Sequence, residues 1–176
     1  MNISGAHRLA RRAARAADWA TWRRRPASFE RHLARSGPVL AQLRAGGHTS
    51  ANVLALLLVE SFYRPRPARV VEYVFWAAAS AIGRPSVERL SLGRAQLQLT
   101  HWRSLGLLED VRFSRKALAR VRDPEANYLA CSRFLARDGV LAEREDVALA
   151  RAYTGAPRPR YADLVGAARS ALATQG

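Results

Sequence analysis

The stretch Val53-Leu54-Ala55-Leu56-Leu57-Leu58-Val59-Glu60 decides how this chain is read. It reads as an apolar helix, with Thr49 or Ser50 placed to cap its start. It ends on an acid. A glutamate in that position presents its carboxyl at the edge of a core. Partial burial there disfavours the charged form and keeps a proton available for donation. By position alone, the plainer reading of Glu60 is a helix-end acid facing solvent or paired with Arg64 or Arg66.

Outward from this run the pattern stays helical. Pro26 opens a stretch that is expected to end near Gly37, and a short helix is expected between Pro38 and Gly46-Gly47. Pro65 and Pro67 end one element and start the next. Arg69 to Ile82 is expected to be a buried helix with Val70, Tyr73, Val74, Ala77 and Ala81 inward, stopped by Gly83, with a loop from Arg84 to Ser91. Gln96 to Leu105 reads as helix closed by Gly106. Asp123-Pro124-Glu125 is a strong start for a helix running to about Arg137, with Gly139 after it. Glu143 to Tyr153 and Arg160 to Ala173 complete the set. No period-two strand run and no internal repeat is visible, so the expected class is mainly α with little or no sheet. Residues 1–48 are expected to form a basic helical N-terminal extension and 49–176 the main domain. Within the extension, Ala6 to Trp22 reads as an arm with Leu9, Ala13, Ala17 and Ala20 on one face and arginines around the other.

Composition bounds the function classes. A chain of 176 residues can bury a real core. It holds 29 basic and 14 acidic residues, a formal charge of +15, and Lys116 is the only lysine. That balance favours an anionic partner: a wall polymer, an acidic membrane surface or a nucleic acid. Cys131 is the only cysteine, which excludes an internal disulfide and a cysteine metal cluster. His7, His32, His48 and His101 have no metal-ligand spacing, so neither a metal nor a cofactor is expected. No run approaches the roughly 20 apolar residues of a membrane span. The basic start is not followed by the apolar stretch of a signal peptide. A place in the cell envelope is expected if the protein degrades cell walls, with export by another route or release through a partner pore.

Four further motifs follow Glu60 in order. Gly93-Arg94-Ala95-Gln96 joins a residue that allows close backbone approach to one that both donates and accepts hydrogen bonds, as sugar hydroxyls require. Then come Asp123-Pro124-Glu125-Ala126-Asn127, Ala150-Arg151-Ala152-Tyr153-Thr154-Gly155, and Tyr161 with Val165. Together with Glu60-Ser61, this order resembles the soluble lytic transglycosylases of the lysozyme-like superfamily, over roughly Val53 to Leu172. The resemblance implies a lysozyme-like helical domain that cleaves the bond between N-acetylmuramic acid and N-acetylglucosamine in peptidoglycan. Glu60 would be the single catalytic acid, and Ser91, Gly93, Gln96, Asn127 and Tyr153 would bind substrate. Glu72 is the candidate second acid, with Glu88 behind it; for both, a salt bridge to arginine is the plainer reading. Trp76 and Trp102 could stack on sugar or lie in the core. The chain departs from the family pattern at Arg94, Ala95 and Thr154. Those departures keep two other expectations open: a catalytically silent lysozyme-like binding domain, and a basic all-helical binder of nucleic acid or membrane.

Overall fold

The computed structural model describes residues 26–64, 66–156 and 159–174, so the arm expected over Ala6 to Trp22 lies outside the described residues. Eight α-helices and one two-stranded ribbon make up the described chain. In order they are α1 (Pro26–Ala45), α2 (Ala51–Tyr63), α3 (Arg66–Ala81), a 3-10 turn (Pro85–Arg89), β1 (Ser91–Leu92), β2 (Leu97–Gln98), α4 (Leu99–Ser104), α5 (Arg115–Arg122), α6 (Pro124–Arg137), α7 (Asp146–Thr154) and α8 (Pro159–Ala173). The mainly α class expected from the sequence is the class observed.

The run Val53 to Val59 is buried along its whole length, as is Asn52 before it. This is possible because α2 lies between α8, α6 and α1 and leaves no face to solvent. Each fully buried Leu or Val contributes roughly 1.5–3 kcal/mol. Ser50 occupies the N-cap in extended conformation, but its side chain makes no cap bond. The helix start is held instead by long-range bonds. The Ser50 amide donates to the Tyr128 hydroxyl at 2.9 Å, and Asn52 Nδ2 donates to the carbonyls of Leu141 and Glu143.

Two expected helices at the N-terminal side are one. α1 runs through Gly37 and Pro38 without a break. Its inward residues Phe29, Leu33, Ser36, Leu40 and Leu43 recur every three or four positions, so one stripe faces the core from end to end. Pro38 falls on the exposed side, where water can serve the carbonyl it leaves unbonded. Thus residues 29–43, from the expected extension, share the core of the segment after residue 48.

α3 reverses part of its expected facing. Val70 and Val74, expected inward, are 58% and 64% exposed, and Ala81 is exposed as well. Trp76 and Ala79 are buried instead, with Tyr73 half-buried beside them. The Trp76 indole decides this facing. Its N–H donates to the Val111 carbonyl at 2.8 Å, and its ring meets Phe113 edge-on. Ser80 on the same side accepts from the Phe113 amide at 2.9 Å.

The remaining corrections are local. Arg84 to Ser91 holds the 3-10 turn rather than an open loop. Gln96 to Gln98, expected to be helical, form the end of a turn and a strand, and α4 begins only at Leu99. α5 was not expected, although Ser114 caps it by accepting from the Ala117 amide, with Ala117 and Val121 facing the core. Asp123 caps α6 as expected, its carboxylate accepting from the amides of Glu125 and Ala126.

Candidate functional site

Glu60 sits on the last turn of α2, where the buried helix reaches the edge of the core. The end of that helix is fixed from α1. His32 Nε2 lies 3.1 Å from the Leu58 carbonyl and 2.8 Å from Ser61 Oγ. A carbonyl only accepts, so Nε2 carries a proton. Ser61 Oγ donates to the same carbonyl at 3.0 Å, which leaves its lone pairs for the histidine. Burial, and then the charges of Arg69, Arg94 and Arg35, hold the His32 pKa below the ordinary histidine value; the Leu58 bond opposes the shift.

The Glu60 carboxyl itself is held from α8. The Tyr161 hydroxyl donates to Glu60 Oε1 at 2.8 Å. Burial, reinforced by the negative charge of Glu60, pushes the Tyr161 pKa well above the usual tyrosine range. The phenol therefore stays protonated and remains a donor at any physiological pH. Tyr63, one turn beyond Glu60, stacks on the Tyr161 ring with a 5.9 Å centroid separation and a 6° interplanar angle. Tyr161 was matched in the resemblance but not assigned to the site. Its spacing to Glu60, 101 residues, gives no local signal.

Gly93-Arg94-Ala95-Gln96 is the loop of the ribbon, with Leu92 paired to Leu97 and Ser91 to Gln98 on either side. Gly93 has φ +77°, and a Cβ there would lie 2.4 Å from Asn127 Oδ1 and 2.8 Å from the Val121 carbonyl. Both its conformation and the space require glycine. Gln96 also has a positive φ, 48°. Its Nε2 turns back to donate to the Gly93 carbonyl at 2.8 Å, closing the loop on itself.

Asn127 and Tyr153, expected to contact substrate, clamp this loop instead. Asn127 is fully buried. Its Oδ1 accepts from the Ala95 amide at 3.0 Å, and its Nδ2 donates to the carbonyls of Val121 and Asp123 at 2.8 and 2.7 Å. The Tyr153 hydroxyl donates to the Ala95 carbonyl. Both polar groups of one peptide residue are thus held, one from α6 and one from α7. The Tyr153 hydroxyl end is buried beside Cys131, and burial, reinforced by the negative charge of Glu60, raises its pKa well above the usual value. Burial also drives the Cys131 thiol far up, so it stays neutral. Ala95 is fully buried and packs under the loop. Arg94 is half-exposed, and its charge is felt at His32 and Tyr73.

Glu72 reaches the loop from α3. It pairs with Arg64 at 3.1 Å and lies 3.5 Å from Gln96 Nε2. Burial raises its pKa, opposed by Arg64 and Gln96. Arg64, a candidate partner for Glu60, is thereby engaged with Glu72. Glu88 sits apart, 3.7 Å from Arg103 and half-exposed. Trp76 and Trp102 are fully buried and belong to the core. Among the described residues no group of His, Cys, Asp or Glu could hold a metal ion. The structure therefore brings Glu60, Tyr153 and Tyr161 into one electrostatic cluster, with the Gly93–Gln96 loop against Tyr153 and Glu72 on the loop's Gln96. No protein-family model, curated protein or solved structure matches the chain.

Proposed function

We propose that the protein cleaves peptidoglycan glycan strands at the bond between N-acetylmuramic acid and N-acetylglucosamine, with Glu60 as the only catalytic carboxyl. The observation that carries this reading is the mounting of Glu60. It is a half-buried acid on the end of a rigid, buried helix, oriented by the Tyr161 hydroxyl at 2.8 Å. A general acid works only when its proton is held in one place relative to the leaving oxygen, and such a mounting limits its rotation.

In this reading Glu60 protonates the glycosidic oxygen. It then takes a proton from the attacking hydroxyl, either the muramoyl 6-hydroxyl or a water molecule. The first attack leaves an anhydro-sugar and the second a reducing end. Glu72 is already paired with Arg64 and Gln96, which suits it to a role in shaping the loop. Gln96 offers its amide oxygen at the loop edge, and the +15 charge draws the protein to an anionic wall.

Mass analysis of muropeptides released from purified peptidoglycan tests the proposal. Wild-type protein should release glycan fragments, and Glu60→Gln should release none above background while keeping the wild-type circular dichroism spectrum. Undiminished release by the variant would overturn the assignment of Glu60. An inert wild-type protein that still sediments with the wall polymer would favour the binding domain.

A further inference from the structure

α3 packs Trp76 and Ala79 inward together with its polar residues and turns its valines outward. Glu72 turns to Arg64 and Gln96, Ser80 accepts from Phe113, and the charge of Arg69 is felt at His32, Glu72 and Tyr73. On the opposite side Val70, Val71, Val74 and Ile82 are 58%, 69%, 64% and 67% exposed, with Pro67, Ala78 and Ala81 exposed between them. At about 1.5 Å per residue, Pro67 to Ile82 makes a stripe roughly 22 Å long. No charged residue lies on it. Isolated exposed apolar side chains are ordinary, but a continuous stripe of this kind marks a surface that meets something apolar.

The charge around the stripe selects what it meets. Residues 64–84 hold Arg64, Arg66, Arg69 and Arg84 against one acid, Glu72, which turns inward to Arg64, so the segment has a net positive charge and no acid on the stripe. Of the acids in the segments that follow α3, Glu88 lies 3.7 Å from Arg103, Glu109 pairs with Lys116 at 2.8 Å, and Asp110 accepts from the Arg112 amide at 3.1 Å. A second copy of the chain would bring another +15 surface against this one, which Coulomb repulsion opposes. No helix among the described residues is long and apolar enough to cross a membrane.

We infer that the outward face of α3 docks on an anionic lipid surface, its valines and Ile82 in the acyl boundary, the chain's excess positive charge drawing it to the headgroups. Such a helix lies in the plane of the interface, its apolar side buried about 5–10 Å. Glu72 and Gln96 are on the reverse side, so docking through the outward face of α3 does not cover them.

The test is co-sedimentation of the full chain with vesicles of phosphatidylcholine alone and with phosphatidylglycerol added. Binding should require the anionic lipid and weaken with salt. The neutral double variant Val71→Asn, Val74→Asn should lower the bound fraction at least tenfold, because it removes apolar contact without changing charge. Ile82→Ser, just beyond the helix end, should act in the same direction, and both variants should melt as the wild type does. Wild-type binding by both variants would overturn the proposal, since charge elsewhere would then suffice. So would a dimer in sedimentation velocity that the double variant dissolves while neither protein binds vesicles.

Discussion

α2 and α3 follow one another in the chain, are 13 and 16 residues long, and are both rich in valine, alanine and aromatic residues. One is buried all round and ends in the candidate catalytic acid; the other buries little more than Trp76 and Ala79. The difference lies in the partners. Three helices enclose α2, whereas α3 rests mainly on the 3-10 turn and β1, with Val111 and Phe113 against its tryptophan. Apolar content alone therefore says that a helix forms, and not which of its faces is covered. Each helix also carries one partly buried acid. Glu60 receives a tyrosine hydroxyl, and Glu72 receives an arginine.

That last contrast gives the largest expected effect. Glu60→Gln should lower glycan release by about 10²–10⁴-fold, the range lost with a general acid–base group. Glu72→Gln should keep activity within about tenfold, because its charge is already offset by Arg64. Equal losses in the two variants, read from initial rates on solubilised glycan, would erase the distinction between the acids.

Stability should separate the helices next. Leu56→Ala in α2 should cost about 2–5 kcal/mol in urea unfolding, as a cavity opens among fixed neighbours. Val74→Ala in α3 should change it by no more than about 0.5 kcal/mol, since its side chain is mostly in water. A cost at Val74 close to that at Leu56 would mean that α3 has a partner in solution. Between these lies Gly93→Ala, expected to cost about 1–3 kcal/mol through its positive φ and the approach of Asn127. It should reduce glycan release as the loop shifts. An unchanged melting temperature would refute the account of the clamp.

The smallest effect is one of pH. Burial lowers the folded-state pKa of His32 below its unfolded value near 6.5. The unfolded chain therefore binds the proton first as pH falls. The contribution of His32 to stability is complete above pH 6.5 and is lost as pH drops through its folded pKa. The urea midpoint should decrease from pH 7.5 to pH 5.5, and His32→Gln should flatten that decrease. A steeper decrease in the variant would contradict the assignment.

Much of the local structure could be read from residues alone. The cap at Asp123, the stops at Gly83 and Gly139 and the buried run before Glu60 follow from short-range rules, since caps and glycine turns are settled within one helical turn. The α1 break was misread because Gly37 and Pro38 weigh against a helix locally, while a continuous buried stripe outweighs them. Only the resemblance places Asn127 with the substrate, and its amide offers the same groups to a main chain as to a sugar. Only the approach of Ala95, 32 residues away, shows that those groups are already used.

The sequence by itself determined a mainly helical chain, a carboxyl at the end of its most apolar run, and a glycine–glutamine motif whose glycine permits a tight turn or close backbone approach to a ligand. Tertiary structure alone decided that Tyr161 orients that carboxyl, that Asn127 and Tyr153 clamp the loop, and that α3 turns its valines outward. The physical reason is range. Helix starts and stops depend on hydrogen bonds closed within a few residues, whereas burial and side-chain pairing depend on which distant segments arrive, and no local pattern encodes their arrival.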